Sequence, residues 1–136
     1  MLVGGDTLLG KISPAVGLYP ESRPDPLGDY LDTLRRLIEL GPTVVYPGHG
    51  EPVEDPAGRA RELLEHHRRR LADAEAALDN EGRTGFELSH VLFPNATAPQ
   101  QRRFAVAETL SHLERLVVEG RARRARSVGN VSYTAK

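Results

Sequence analysis

The chain contains no cysteine, which excludes disulfides and thiolate metal sites. It has no apolar run near the roughly 20 residues a membrane span needs. A basic segment followed by an apolar one, the mark of a secretory signal, is also missing from its start. The expectation is a soluble, cytoplasmic protein. An excess of either charge is lacking as well, with 18 basic against 19 acidic side chains and a net charge of −1. Residues 1–53 carry 4 basic and 7 acidic groups, and residues 54–136 carry 14 and 12. That asymmetry falls short of the clustered basic face that marks nucleic-acid binding. At 136 residues the chain holds one average domain or two very small ones.

What is present centres on residues 43–52, TVVYPGHGEP. Thr43-Val44-Val45-Tyr46 reads as a buried strand. Pro47-Gly48 breaks it, and His49 follows between two glycines, placed to face a cleft. The same design occurs earlier: Met1-Leu2-Val3 is apolar, Gly4-Gly5 breaks it, and Asp6 follows. A carboxylate and an imidazole, each just past a strand, are good ligands for zinc or another first-row metal. From spacing alone, a plain glycine-rich turn is the favoured account of Gly-His-Gly.

Between these points residues 7–26 form a long segment rich in Gly and Pro. Loops of this length are uncommon and often functional; a poorly packed linker is the other reading. Asp25-Pro26 signals a helix start. Leu27, Tyr30, Leu31, Leu34, Leu37 and Ile38 recur at helical spacing, and Gly41-Pro42 closes the helix. Two strands and one helix bury little surface, so residues 1–53 are expected to need a partner. Asp55-Pro56 starts a second, long helix expected to end near Asn80. On it Arg68, Arg69 and Arg70 point about 100° apart, as a solvated face rather than a phosphate site. His66 and His67 are likewise no chelating pair.

Thr84-Gly85-Phe86-Glu87 reads as a capping box opening a short helix that Pro94 ends. Residues 100–119 form one helix or a kinked pair, stopped by Gly120. Residues 121–126 and 130–133 then read as a hairpin around Val128-Gly129-Asn130. His90 and His112 are expected to be packed or capping side chains.

Gly-Gly-Asp6 after a strand, then SPAVGLYPESRPDPLGDYLDTLRRL, then VVYPGHGEPVEDPAGR, resembles the second half of a metallo-β-lactamase-fold hydrolase. The similarity is to the branch that includes beta-lactamase-like protein two, related more distantly to hydroxyacylglutathione hydrolases. The helix, turn, helix and hairpin at the end, with ETLSHLERLVVEGRARR, resemble a winged helix, which that branch carries at this place. The resemblance implies an α+β fold: a partial metallo-β-lactamase αβ layer in 1–53, a linking long helix in 54–80 and a winged-helix domain in 81–136. It implies Asp6 and His49 as metal ligands and two zinc ions in the full-length parent. Tyr19, Ser22 and Arg23 lie between the two ligands and are candidate substrate contacts.

The family's H-x-H-x-D-H motif belongs upstream of the Gly-Asp position and does not occur in this sequence. The resemblance therefore implies a C-terminal part of the hydrolase that does not retain zinc tightly and is inactive in isolation. Its expected partners are the N-terminal half or a second copy covering residues 1–53, with a homodimer as one form. A winged-helix module contacting nucleic acid or a protein is the alternative. Arg102, Arg103, Arg121, Arg123 and Arg124 would then meet phosphates, although Glu108, Glu114 and Glu119 mix the sign of that helix.

Overall fold

The computed structural model describes the backbone of Leu2–Gly5 and all of residues 15–136. These divide between two compact units, one of Met1–Ala15 with Gly28–Arg68 and one of Val16–Leu27 with Arg69–Lys136.

In the first unit, β1 (Leu2–Gly5) pairs in parallel with β2 (Val45–Pro47). Their register is Leu2↔Val45, Val3↔Tyr46 and Gly5↔Pro47, with an irregularity before Gly5. Parallel neighbours need a long crossover, and α1 (Pro26–Leu40) lies within it. Its apolar face is as the sequence spacing predicts: Leu31, Leu34 and Leu37 are buried. Gly41, at φ +66°, ends the helix and donates its N–H to the Leu37 carbonyl at 3.1 Å. The second helix, α2 (Pro56–Ala76), opens where Asp55 Oδ1 accepts from the Gly58 N–H at 3.1 Å. Ala60, Leu63 and His67 on α2 are fully buried. The Tyr30 ring meets His67 edge-on at 5.6 Å. Burial pushes the Tyr30 hydroxyl up to about 12, with the Arg59 charge working against the rise.

The sequence expectation that α2 reaches Asn80 is corrected: the helix stops at Ala76. Its last turn tightens, with Ala77 N–H shared between the Asp73 and Ala74 carbonyls. Asp79 then offers the backbone a better alternative. Its carboxylate accepts from the N–H groups of Glu81 (3.0 Å) and Gly82 (3.1 Å) and from Arg83 Nε (3.0 Å). Those two backbone donors, with Arg83, hold the Asp79 carboxyl below its ordinary value.

The second unit contains β3 (Arg83–Thr84), α3 (Gly85–Leu92), α4 (Pro99–Val118), β4 (Ala122–Ser127) and β5 (Asn130–Ala135). Its strands form an antiparallel sheet in the order β3-β5-β4. The strand β3 was not visible in the sequence, because two residues carry no period. Thr84 caps α3, its hydroxyl oxygen accepting from Glu87 N–H at 3.2 Å. α4 is one unbroken helix, with Pro99 at its first position and Gln101 Oε1 accepting from Ala98 N–H. α3 and α4 pack closely: a Cβ on Gly85 would lie 2.4 Å from Leu110 Cδ2. The hairpin runs two residues past the expected end, and its turn is Val128-Gly129. Leu88, Leu113, Leu116, Ala122 and Tyr133 form the buried centre of this unit. No helix among the described residues is long and apolar enough to cross a membrane.

Candidate functional site

β1 and β2 run side by side in the same direction, so the two strands end on the same side of the pair. In open α/β sheets this carboxyl end is where ligands bind. Asp6 follows Gly5 directly in sequence and lies outside the described residues. His49 comes two residues after β2 ends. Its loop is closed by a reciprocal backbone pair: Val45 N–H to Val53 O at 3.0 Å and Val53 N–H to Val45 O at 2.7 Å. Both valines are buried, whereas His49 at the loop tip is exposed. The sequence suggested an imidazole facing a cleft; the structure presents it on an exposed, pinned loop. Pro47 was read as a strand breaker, yet it pairs with Gly5 as the last residue of β2. Its missing N–H costs nothing there, because Pro is tolerated at strand ends and edges.

Imidazole is the right donor chemistry for zinc, but a catalytic zinc takes three protein ligands. Among the described residues, no group of three or more His, Cys, Asp or Glu side chains could hold a metal ion. The described residues do not make a zinc site by themselves.

Tyr19, Ser22 and Arg23 belong to the second unit. The structure brings the first two together: Tyr19 N–H donates to Ser22 Oγ at 2.9 Å, and Ser22 N–H donates to Tyr19 O at 3.0 Å. Tyr19 and Ser22 are half-buried and Arg23 is exposed. Residues 16–25 are neither helix nor strand, yet they are tied to α4. Leu18 N–H donates to Ala107 O at 2.9 Å, Ser111 Oγ to Val16 O at 2.7 Å, and Arg115 Nη1 to Asp25 Oδ2 at 2.8 Å. The reading of this stretch as a poorly packed linker is therefore corrected for residues 16–25. Sequence pattern missed Ser111 and Arg115 because both partners lie about 90 residues away. The available signal was a small residue, a hydroxyl and a cation at i, i+4 and i+8 on one helical stripe.

The arginines proposed for phosphates divide. Arg102 donates to Ser89 Oγ (3.1 Å), Phe93 O (3.2 Å) and Ala96 O (2.6 Å), fastening the end of α3 to α4. Arg121 pairs with Glu75 at 3.0 Å and Glu119 at 2.8 Å. Arg124 pairs with Glu114, which also accepts from the Tyr133 hydroxyl at 2.6 Å. Burial and then the Glu114 bond push the Tyr133 hydroxyl up. Glu119 sits between Arg121 and Arg115; burial would raise its carboxyl, but these two cations more than offset that and lower it. Arg103 and Arg123 are exposed. In the run read as a solvated face, Arg68 is chelated by Glu65 at 2.6–2.7 Å. Arg70 departs from that reading and lies 4.2 Å from the Phe93 ring centre. His112 is buried, with its Nδ1 2.8 Å from Glu108 O. His90 is exposed, with its Nδ1 3.0 Å from Phe86 O.

Residues 71–135 match a known family, described as "Metallo-beta-lactamase-like, C-terminal domain". This stretch is similar to a metallo-beta-lactamase-like C-terminal domain. The fold of the chain is similar to a metallo-beta-lactamase family protein from Thermus thermophilus, with a TM-score of 0.85 at 44% identity over 99% of this chain and 42% of that one. A beta-lactamase domain protein from Burkholderia ambifaria gives a TM-score of 0.88 at 28% identity, over 99% and 41%. The probable metallo-hydrolase YqjP of Bacillus subtilis is 35% identical over 125 residues, which are 87% of this chain and 38% of that protein. The chain thus spans about two fifths of the length of the relatives it matches.

Proposed function

We propose that this chain works as the C-terminal part of a zinc-dependent metallo-β-lactamase-fold hydrolase, and that it is inactive by itself. The observation that carries this reading is the 44% identity, with a TM-score of 0.85, to the Thermus protein along 99% of the chain. The parallel β1–β2 pair supports it, since Asp6 and His49 follow neighbouring strands that end on the same side. In the complete protein, Asp6 and His49 would serve as ligands to two zinc ions. The metals would supply a hydroxide at neutral pH for attack on an ester, thioester or phosphodiester. Tyr19, Ser22 and Arg23 would contact substrate. For residues 81–136, the order of helix, helix and hairpin with an added strand supports a winged-helix reading. We assign it a structural or substrate-lid role, because Arg102, Arg121 and Arg124 are engaged by protein groups.

The test measures zinc content and hydrolysis of p-nitrophenyl acetate and bis-p-nitrophenyl phosphate. It compares this chain alone with the protein expressed together with whatever sequence its gene encodes upstream. Zinc and turnover in the complete protein, lost with Asp6→Ala or His49→Ala, is the expected result. A complete protein that carries zinc but keeps it and its activity in both variants would overturn the ligand assignment. Stoichiometric zinc on the chain alone would overturn its proposed inactivity.

A further inference from the structure

We propose that the open edge of β4 is a docking site for an extended acidic segment of a partner protein, taken up as an added strand. This is independent of the hydrolase reading above.

The three-stranded sheet has two unlike edges. At one, β3 is two residues long and offers little to pair with. At the other, β4 is six residues long, and five of them are exposed. Its pairing with β5 is regular from Ala122↔Ala135 to Ser127↔Asn130, with no bulge, and it contains no proline. Along an antiparallel edge strand every second residue turns its N–H and C=O away from its neighbour. Among the described residues, no backbone bond outside the β4–β5 ladder uses a β4 group. Proteins blunt such edges with shortness, proline, a bulge, a cover or charge. β4 has charge alone.

That charge selects the occupant. Arg124 is engaged by Glu114. Arg123 and Arg126 form no ion pair among the described residues, and the residues paired with them in β5, Thr134 and Val131, are neutral. A second copy fits badly. Either antiparallel register that pairs five residues of β4 with its own copy sets Arg124 opposite Arg124 or Arg126, and like charges directly opposite destabilise a strand pair. Carboxylates opposite Arg123 and Arg126 do the reverse. These two arginines are three positions apart and so lie on opposite faces of the sheet. The matching segment therefore carries two carboxylates three positions apart. Its main chain bonds the β4 edge, and its side chains set the choice of partner. A nucleic-acid backbone meets the same two charges but leaves the main-chain groups of the edge unused, which favours a peptide.

The experiment follows the fluorescence anisotropy of the labelled peptide VTEVTDVT on this chain at low salt. The comparison peptides are VTKVTKVT and a form of the first methylated on all its peptide nitrogens. The expected result is binding of the acidic peptide, with both comparison peptides about tenfold weaker or more. The double variant Arg123→Gln with Arg126→Gln should weaken the acidic peptide about 5–10-fold, while its thermal melt stays that of wild type. Amide exchange should slow in β4 and not in β3 when the peptide is bound. No binding to wild type would overturn the proposal. Equal binding of the methylated peptide would reduce it to charge attraction and overturn strand addition. Wild-type affinity in the double variant would overturn the assignment to β4. A dimer in sedimentation that protects the β4 amides would give the edge to a second copy. Displacement of the peptide by an equal concentration of oligouridylate would give it to nucleic acid. Binding by this chain that disappears in the complete protein would give it to the upstream part of the same polypeptide. Each of these three would overturn the acidic partner.

Discussion

Glu108 shows how a single side chain makes the stability of this molecule depend on pH. It is half-buried on α4, and burial pushes its carboxyl up, with Arg70 offsetting part of the rise. A raised carboxyl favours the folded state while protonated. Its contribution is complete below the ordinary carboxylate range and is lost as pH rises through the shifted value. Glu108→Gln should therefore melt at a higher temperature than wild type at pH 7, with the difference closing toward pH 4. Equal Tm values at pH 7 would show that the buried carboxylate carries no penalty. Thr84 gives a second prediction at this scale. Thr84→Ala removes the acceptor for Glu87 N–H and should cost about 1 kcal/mol in urea unfolding.

Among the elements, the join between α3 and α4 depends on one cation. Arg102 reaches three acceptors at the end of α3 and in the turn that follows. Arg102→Ala should destabilise the chain by about 1–3 kcal/mol. Arg102→Lys should recover little of this, since one ammonium does not match three acceptors that a planar fork spans. Urea titration of the three proteins decides the point. The elements themselves were largely legible in the sequence. Asp25-Pro26 and Asp55-Pro56 began α1 and α2, Gly41 ended α1, Gly120 followed the end of α4, and Thr84 with Glu87 formed the predicted cap. These signals act within four residues, where sequence spacing and spatial distance coincide. The end of α2 was missed because Asp79 competes for backbone donors further along the chain. The anchoring of 16–25 was missed because Val16, Leu18 and Asp25 bond to residues about 90 positions away. At the candidate site, the residue types and their places after strands were legible, and the exposure of His49 was not. It depends on the Val45–Val53 closure, which carries no side-chain signature.

At the scale of the whole chain, the arginines considered for phosphates are partly engaged by the protein itself. Arg121 and Arg124 are neutralised by Glu75, Glu119 and Glu114, and the net charge is −1. Binding to single-stranded RNA should be weak at 150 mM salt. Replacing Arg103 and Arg123 by Gln should change the salt slope of any residual binding by about 2 at most. A slope much steeper than that, measured by fluorescence anisotropy, would point to a nucleic-acid surface elsewhere. The tie between residues 16–25 and α4 bears on how this molecule can be dissected. Residues 16–25 precede α1 in sequence, yet with Pro26 and Leu27 they complete a unit whose other residues start at Arg69. No single cut frees that unit whole. A piece expressed from Arg69 onward would leave the Ala107 carbonyl without Leu18 and the Ser111 hydroxyl without Val16. Limited proteolysis of the intact chain should likewise release no clean C-terminal product that keeps the native melting temperature.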